Sequence, residues 1–377
     1  MKLFYRFIAF WIISLFIGAV LFPSITTVVS KDTIDPSLTF YPTDDTKIRM
    51  KSPDGNYGDS DVAAIRNRYG ADSHPDYWEE DALIKFNISL IPADKYIISA
   101  TLNWYYCQFY DNNPAGHELT LYRILEPWNE ETVTWNTRPM ISSELTSSDM
   151  VPSLPGEWMS WEVTNDLRDF VDGSELNYGW QIMDENFWGE YDIPHALFRT
   201  KEFTDNIFHP YLIVETTDLY VDVEQVVFDR GFPIRHAVDG DWAGAQNFTP
   251  TLNTLTKSEI YLRKFGSPNF DLTVELREDS ITGTLIDTLT FTPDEVSSSW
   301  EWFELDFLDI AVQQDTDYFI VIPPAPSGLT NSYGYEWGYA FGDQYDDGSF
   351  WFTRDGGSLW RDLPTMYEFM FRIYGYN

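Results

Sequence analysis

Residues 128–139, WNEETVTWNTRP, say most about the fold of this chain. Two tryptophans, Trp128 and Trp135, bracket an acidic turn and a β-branched run. The run at residues 132–135 favours a pleated, half-buried strand, and the polar cluster before it favours a turn. The stretch has no nucleophile beside a base and no metal-ligand spacing. It therefore predicts a tryptophan-anchored corner of a β-sandwich rather than a site of chemistry.

Short apolar or alternating runs recur along the rest of the chain, separated by Gly, Pro, Asn and Asp clusters. Examples are ALIKFNI, ATLNWYY, ELTLYRI, YLIVET, SEIYLRKF, LTVELRED and DYFIVI. Strands of this length and spacing favour all-β sandwiches over βαβ units. One segment, TNDLRDFV at residues 164–171, reads as a short helix, with Thr164 or Asn165 as its cap and Gly173 beyond its end.

The length of 377 residues exceeds that of a typical single domain, so two domains are expected. We place them at residues 31–216 and 217–377, after a signal peptide at residues 1–30. The boundary falls near Thr216 to Asp222, where there is no flexible Pro/Gly/Ser linker. A join this short predicts that the two sandwiches touch, and the alternative is a short extended linker.

The first 30 residues have the order of a secretory signal. Lys2 and Arg6 precede a 16-residue apolar run, residues 7–22, and a small-residue exit follows at residues 28–30. The run is shorter than the ~20 apolar residues that a transmembrane helix needs. The sequence thus predicts a secreted, extracellular or cell-surface protein. The alternative is an uncleaved anchor, which would be the only association with a membrane.

Composition limits the classes of partner and the source of stability. The chain carries 60 acidic against 24 basic side chains, a formal net charge of −36, and its field repels nucleic acid and anionic membranes. Cys107 is the only cysteine, so no disulfide forms within one chain. Aromatic residues make up 17% of the chain, which predicts cores built on large rings.

The search for catalytic motifs yields little. No GxSxG, GxxxxGK[ST] or GxGxxG occurs, and His117-Glu118 lacks the second histidine of a zinc protease helix. A glycosidase would need two carboxylates, for which Glu79-Glu80-Asp81 and Asp184-Glu185 are available. Their separation in space decides that question, and sequence alone does not give it.

Residues 128–139 resemble the W-x-E-x-x-V-T-W-N-x-x-P signature of the DNRLRE domain family, whose members are also grouped as family 96 carbohydrate-binding modules. Other segments fall in the family's order: Asn56-Tyr57-Gly58, LIKFNIS, SATLNWYY, FRTKE and HPYLIV. The resemblance covers roughly residues 31–216. It implies a β-sandwich that binds a polysaccharide or cell-surface glycan, in some relatives an acidic one such as alginate. The second half resembles, more weakly, the jelly-roll domains appended to secreted prokaryotic proteins.

An acidic sugar needs arginine or lysine for its carboxylates and rings for its apolar face. Two basic pairs have the period-two spacing that puts both members on one face of a strand. The pairs are Arg66 with Arg68 and Arg199 with Lys201, and the candidate stacking rings are Tyr57, Tyr69, Trp180 and Trp188. A structural calcium ion is a further candidate ligand, with Asp343, Asp346 and Asp347 as hard oxygen donors.

The sequence as a whole predicts an exported, non-enzymatic protein of two jelly-roll-like β-sandwiches, the first of which binds a polysaccharide. Two alternatives stay open at this point. One is a structural surface or adhesion protein that binds protein partners, and the other is a polysaccharide-degrading enzyme.

Overall fold

A computed structural model describes residues 37–67, 79–92, 95–186, 194–237, 240–326 and 332–377. Among these residues the fold is nearly all β, with one α-helix and two short 3₁₀ helices, which confirms the predicted fold class. No helix in the described ranges is long and apolar enough to span a membrane. The signal predicted at residues 1–30 lies outside them and stays a prediction.

Within the described residues, the first half of the chain forms eleven strands and α1. Their bounds are β1 (Leu38–Phe40), β2 (Pro42–Arg49), β3 (Val62–Asn67), β4 (Glu79–Phe86), β5 (Tyr96–Asp111), β6 (Glu118–Ile124), β7 (Ile141–Met150), β8 (Glu157–Glu162), α1 (Thr164–Asp172), β9 (Trp180–Met183), β10 (Pro194–Arg199) and β11 (Tyr211–Thr217). The 3₁₀ helices are Trp135–Thr137 and Asn206–Phe208.

The described part of the second half forms thirteen strands. Their bounds are β12 (Tyr220–Gln225), β13 (Arg230–Ala237), β14 (Gly240–Phe248), β15 (Thr254–Phe265), β16 (Leu272–Glu278), β17 (Thr284–Phe291), β18 (Glu301–Ala311), β19 (Tyr318–Ile322), β20 (Gly334–Phe341), β21 (Ser349–Thr353), β22 (Arg361–Asp362), β23 (Tyr367–Phe369) and β24 (Phe371–Tyr376).

Strand pairing stays within each half among the described strands. In the first half the order is β1-β11-β5-β10-β3-β4-β9-β6-β7, with β2 paired to β4 and β8 paired to β5. In the second half the order is β12-β24-β15-β20-β13-β14-β19-β16-β17. The remaining strands pair outside this order, β18 with β15, β21 with β14, β22 with β21 and β23 with β20. All of these strand pairs are antiparallel, as expected for strands joined by short connections.

Each half has its own core of large rings, as the composition predicts. Trp104, Trp161 and Trp180 are fully buried in the first, and Trp337 and Phe369 are fully buried in the second. The rings of Trp337 and Phe369 stack with their centroids 4.2 Å apart. Because the chain has no disulfide, this ring burial is the main stabilising term in both halves.

The helix α1 matches its predicted position but not its predicted cap. It ends at Gly173, whose φ of 85° is the left-handed conformation that glycine adopts without strain. Its N-cap residue is Val163 rather than Thr164 or Asn165. The Thr164 hydroxyl instead accepts a hydrogen bond from the backbone N–H of Ala100, at 2.7 Å, and so ties the helix to β5.

The strand predicted at residues 132–135 is wrong. The backbone N–H groups of Thr132 and Val133 both donate to the carbonyl of Asn129, at 3.1 and 2.8 Å, which closes a local turn. A 3₁₀ helix then follows, with side-chain and backbone bonds between Thr134 and Thr137. The local hydrogen bonds outweigh the β propensity of the run.

The two halves contact each other, as the short join predicts. The Lys95 ammonium donates to Asp218 at 2.8 Å. The Arg168 guanidinium and the Tyr96 hydroxyl both donate to Asp309, at 2.6 and 2.8 Å. Residues 32–377 accordingly form one compact unit.

We expect the fragments 31–216 and 217–377, expressed separately, each to unfold in one cooperative transition. The reason is that each fragment contains the pairing partners of its described strands, apart from Thr217 at the end of β11, and a core of its own. Chemical denaturation followed by tryptophan fluorescence measures this. A fragment that is soluble only together with the other would show that the contact through Asp309 is essential for folding and that the proposed boundary is wrong.

Candidate functional site

The signature segment, residues 128–139, is a structural support. The Trp128 ring is 9% exposed, and its indole N–H donates to the Tyr178 carbonyl at 2.8 Å. The Asn56 amide donates to the carbonyls of Glu130 and Val133, at 2.7 and 2.8 Å. A side chain at Gly58 would meet the Glu130 carbonyl at 2.7 Å, so only glycine fits there. The predicted corner is confirmed for Trp128, whereas Trp135 is only half-buried.

Basic side chains gather beside this support, on β2, β3 and β10. We call the group the basic edge and define it as Lys47, Arg49, Tyr57, Arg66 and Arg199. The register between neighbouring strands brings these side chains together. Arg49 and Arg66 both pair with Glu80 of β4, from opposite sides, and directly paired residues project to the same side of a sheet.

Arg199 joins the basic edge through β10. It pairs with Val62, which lies four residues before Arg66 on β3, so Arg199 and Arg66 project to the same side about 13 Å apart. The Arg199 guanidinium lies over the Phe203 ring, 3.8 Å from its centroid, and 3.5 Å from the exposed Asp61 carboxylate. A pair that is long and exposed stabilises the protein little.

Arg66 lies deeper than sequence alone indicates. Its side chain is only 4% exposed, and it donates to the exposed carboxylate of Asp111. The buried Glu80 beside it accepts from Arg49 at 2.7 Å and lies 3.3 Å from His195. Arg66 is therefore held in a buried ion network, because a buried charge needs compensating partners.

Lys47 and Tyr57 complete the basic edge on its half-exposed side. The Lys47 ammonium lies 5.4 Å from the centroid of the Tyr57 ring. Burial lowers the pKa of Lys47, and the nearby carboxylate of Glu80 opposes that change. Lys47 also interacts electrostatically with Arg49 and Asp61, which joins it to the groups around Arg199.

Lys201 takes part in a different set of contacts from the other predicted basic residues. Its ammonium donates to Glu130 at 2.7 Å and also bonds to Glu202. Burial lowers the pKa of Lys201, but these two bonds outweigh burial and raise it overall. The side chain thus fastens the signature segment to the end of β10 and is engaged by protein carboxylates.

Trp180 does not present a ring to solvent, so its assignment as a stacking platform is corrected. It is fully buried between Phe86 and Phe170, with ring centroids 6.3 and 5.5 Å away. Its indole N–H donates to Asp166 at 2.7 Å. Three other predicted site residues, the basic Arg68 and the rings Tyr69 and Trp188, lie outside the described residues.

The acidic stretches considered for catalysis come close to each other. Burial is the largest cause that raises the pKa of Glu79. The nearby carboxylates of Asp184 and Glu185 raise it further. Burial also raises the pKa of Asp81 well above its usual range, and Glu79 adds to that shift. The Asp81 carboxylate accepts from the Gln181 amide at 2.9 Å. Arg138 lowers the pKa of both Glu79 and Asp81, so the group is partly compensated.

The three aspartates predicted as calcium ligands, Asp343, Asp346 and Asp347, are all exposed. Their oxygens do not come together as a three-ligand group. Among the described residues such a group exists elsewhere, at Asp45, Glu130 and Glu202.

Sequence reasoning missed Lys47, Arg49 and Glu80 as neighbours of the predicted basic residues. The signal for the first two was present, since they have the same period-two spacing as the pairs that were selected. Glu80 gave no such signal, because its role depends on the pairing of β4 with both β2 and β3.

Residues 36–216 match the profile of Carbohydrate-binding module family 96. No curated protein matches the sequence. Among solved structures, PNGase F from Flavobacterium meningosepticum, a glycosylasparaginase, is 12% identical, with 91% of this chain and 96% of that chain covered and a TM-score of 0.22. A structure from the Gt strain of infectious bursal disease virus is 14% identical, with 92% and 82% covered and a TM-score of 0.22. Likenesses this weak say nothing about the activity of the present chain.

Proposed function

Residues 36–216 are a member of carbohydrate-binding module family 96, and from this premise we propose that the first sandwich binds a polysaccharide without cleaving it. The family match is the observation that carries the proposal. The contacts of the basic edge support a finer statement, that the polysaccharide is acidic and that the basic edge is where it binds.

Local charge supports an acidic ligand. Residues 31–215 carry 13 basic and 33 acidic side chains, so the half is strongly negative as a whole. The basic edge brings four cations together, and the carboxylates that contact them include Asp61, Glu80 and Asp111. A sugar carboxylate is bound there by short-range bonds to these cations rather than by the overall field of the acidic body.

The side chains differ in how freely they can reach a ligand. Lys47, Arg49 and Arg199 are half-exposed, whereas Arg66 is buried. We therefore assign the direct contacts to the first three and a positioning role to Arg66, which holds Asp111 at the end of β5. Tyr57 supplies a half-exposed ring beside Lys47, and we assign it the stacking contact with the sugar.

Affinity electrophoresis tests the proposal on the full chain. We expect gels containing alginate or pectate to retard the protein, and gels containing a neutral β-glucan to leave its mobility unchanged. Incubation with each retained glycan should release no shorter products by chromatography. Release of products would assign the protein to the degrading enzymes, with the carboxylates around Asp81 as the first residues to replace. Equal mobility in all gels would contradict glycan binding.

A further inference from the structure

Three carboxylates from distant parts of the sequence meet beside the signature segment. Asp45 belongs to β2, Glu130 to the signature segment, and Glu202 follows the end of β10. One oxygen from each lies within 4.8 Å of the others. We call this group the carboxylate triad.

The hydrogen bonds of the carboxylate triad leave two oxygens without a donor. Asp45 is 0% exposed, and its Oδ2 accepts from the Lys201 backbone N–H at 3.0 Å. Its Oδ1 is buried and has no donor among the described residues, the same holds for Glu202 Oε2, and the two carboxylates lie within hydrogen-bonding reach of each other. A buried carboxylate oxygen without a partner costs on the order of 1–3 kcal/mol, so two in one place need an explanation.

The two oxygens belong to carboxylates that face each other. Burial raises the pKa of Asp45, and the Glu202 carboxylate is the next largest cause of the shift. Both oxygens of Glu130 already accept bonds, one from the Asp45 N–H at 3.0 Å and one from Lys201 at 2.7 Å. The unsatisfied pair is thus Asp45 Oδ1 and Glu202 Oε2, with Glu130 beside it.

The carboxylate triad has more acidic than basic groups. With all three carboxylates ionised, the one ammonium bonded to them, that of Lys201, leaves two negative charges without a cationic partner among the described residues. A divalent cation compensates both. Calcium accepts several carboxylate oxygens in irregular geometry, with bonds of about 2.3–2.6 Å, so a single ion can bind oxygens that lie up to 4.8 Å apart. Magnesium needs bonds of about 2.1 Å and a near-ideal octahedron, which makes it the poorer fit.

We propose that the carboxylate triad binds one calcium ion, through Asp45 Oδ1 and Glu202 Oε2 with Glu130 as the third ligand. The ion joins β2, the signature segment and the end of β10 at one point. It stabilises the support on which the basic edge is built, and it does so independently of whether a glycan binds there.

Thermal unfolding of the full chain, after EDTA has removed bound metal ions, tests the proposed calcium site. Saturating calcium chloride is expected to raise the Tm by about 5 °C or more, with magnesium chloride giving a smaller shift. Asp45→Asn should remove the calcium shift. Asp346→Asn, a matched change in the exposed loop that sequence alone favoured, should keep it.

Calorimetric titration of calcium chloride into the stripped wild-type protein provides the second measurement, which holds even if Asp45→Asn fails to fold. We expect about one site per chain. Absence of a binding heat would overturn the proposal, as would a calcium shift that survives in Asp45→Asn. A Tm that does not change with calcium, together with a rise in Tm on acidification that is smaller in Asp45→Asn than in the wild type, would show that the two oxygens share a proton instead, because the raised pKa of Asp45 means that the folded state binds that proton more readily.

Discussion

Replacing Trp180 by alanine is expected to lower the free energy of unfolding by about 3–5 kcal/mol. The ring is fully buried between the sheets of the first sandwich, against Phe86 and Phe170. Its removal leaves a large cavity and also takes the indole donor away from the buried side of Asp166. Urea denaturation of the full chain, followed by circular dichroism, measures the loss.

Trp135→Ala is the matched control. That ring is half-buried in a 3₁₀ helix and is covered by the Arg138 guanidinium, 4.4 Å from its centroid, so its removal should cost clearly less. If Trp180→Ala keeps its stability and loses glycan binding instead, the ring is the stacking platform that sequence alone indicated, and its position in the core is wrong.

The double variant Lys47→Ala, Arg199→Ala is expected to weaken the binding of an acidic polysaccharide roughly one hundred-fold or more. Bonds from a cation to a carboxylate contribute about 1.5–3 kcal/mol each, and each 1.4 kcal/mol is a factor of ten in affinity. Both side chains are half-exposed, and the partner of Arg199 is an exposed carboxylate, so the Tm should change little. Isothermal calorimetry with the same glycan measures the affinity of both proteins.

The control for charge alone is Lys85→Ala, Lys257→Ala. It also removes two positive charges, but from positions outside the basic edge. Lys85 pairs with Asp44, and Lys257 pairs with Glu304. We expect this control to bind as the wild type does. An equal loss in both double variants would mean that the overall field, not the basic edge, governs the affinity.

The fold is predictable from the sequence because each strand carries its own signal. ELTLYRI is β6 to the residue, and DYFIVI contains β19, since apolar and β-branched runs bounded by turn residues are local features. The signature segment shows the limit of this reasoning. Its β-branched run has the composition of a strand, but the Asn129 carbonyl closes a turn there, and composition does not show which hydrogen bond forms.

The candidate site is less predictable, because it depends on contacts between distant segments. The spacing of Arg199 from Lys201 is visible in the sequence. Its position opposite Val62, which lies four residues before Arg66 on β3, follows only from strand register. Burial separates residues that look alike: Arg66 and Trp180 are enclosed, while Arg199 is half-exposed. The carboxylate triad joins residues 45, 130 and 202, a combination that no spacing rule would select.

Calorimetric titration of the unaltered full chain with an alginate oligosaccharide, and with a neutral glucan of equal length, tests the central claim most directly. The account predicts saturable heat for alginate and none for the glucan, because only the first offers carboxylates to Lys47, Arg49 and Arg199. Saturable binding of the glucan alone, or no heat with either sugar, would contradict it.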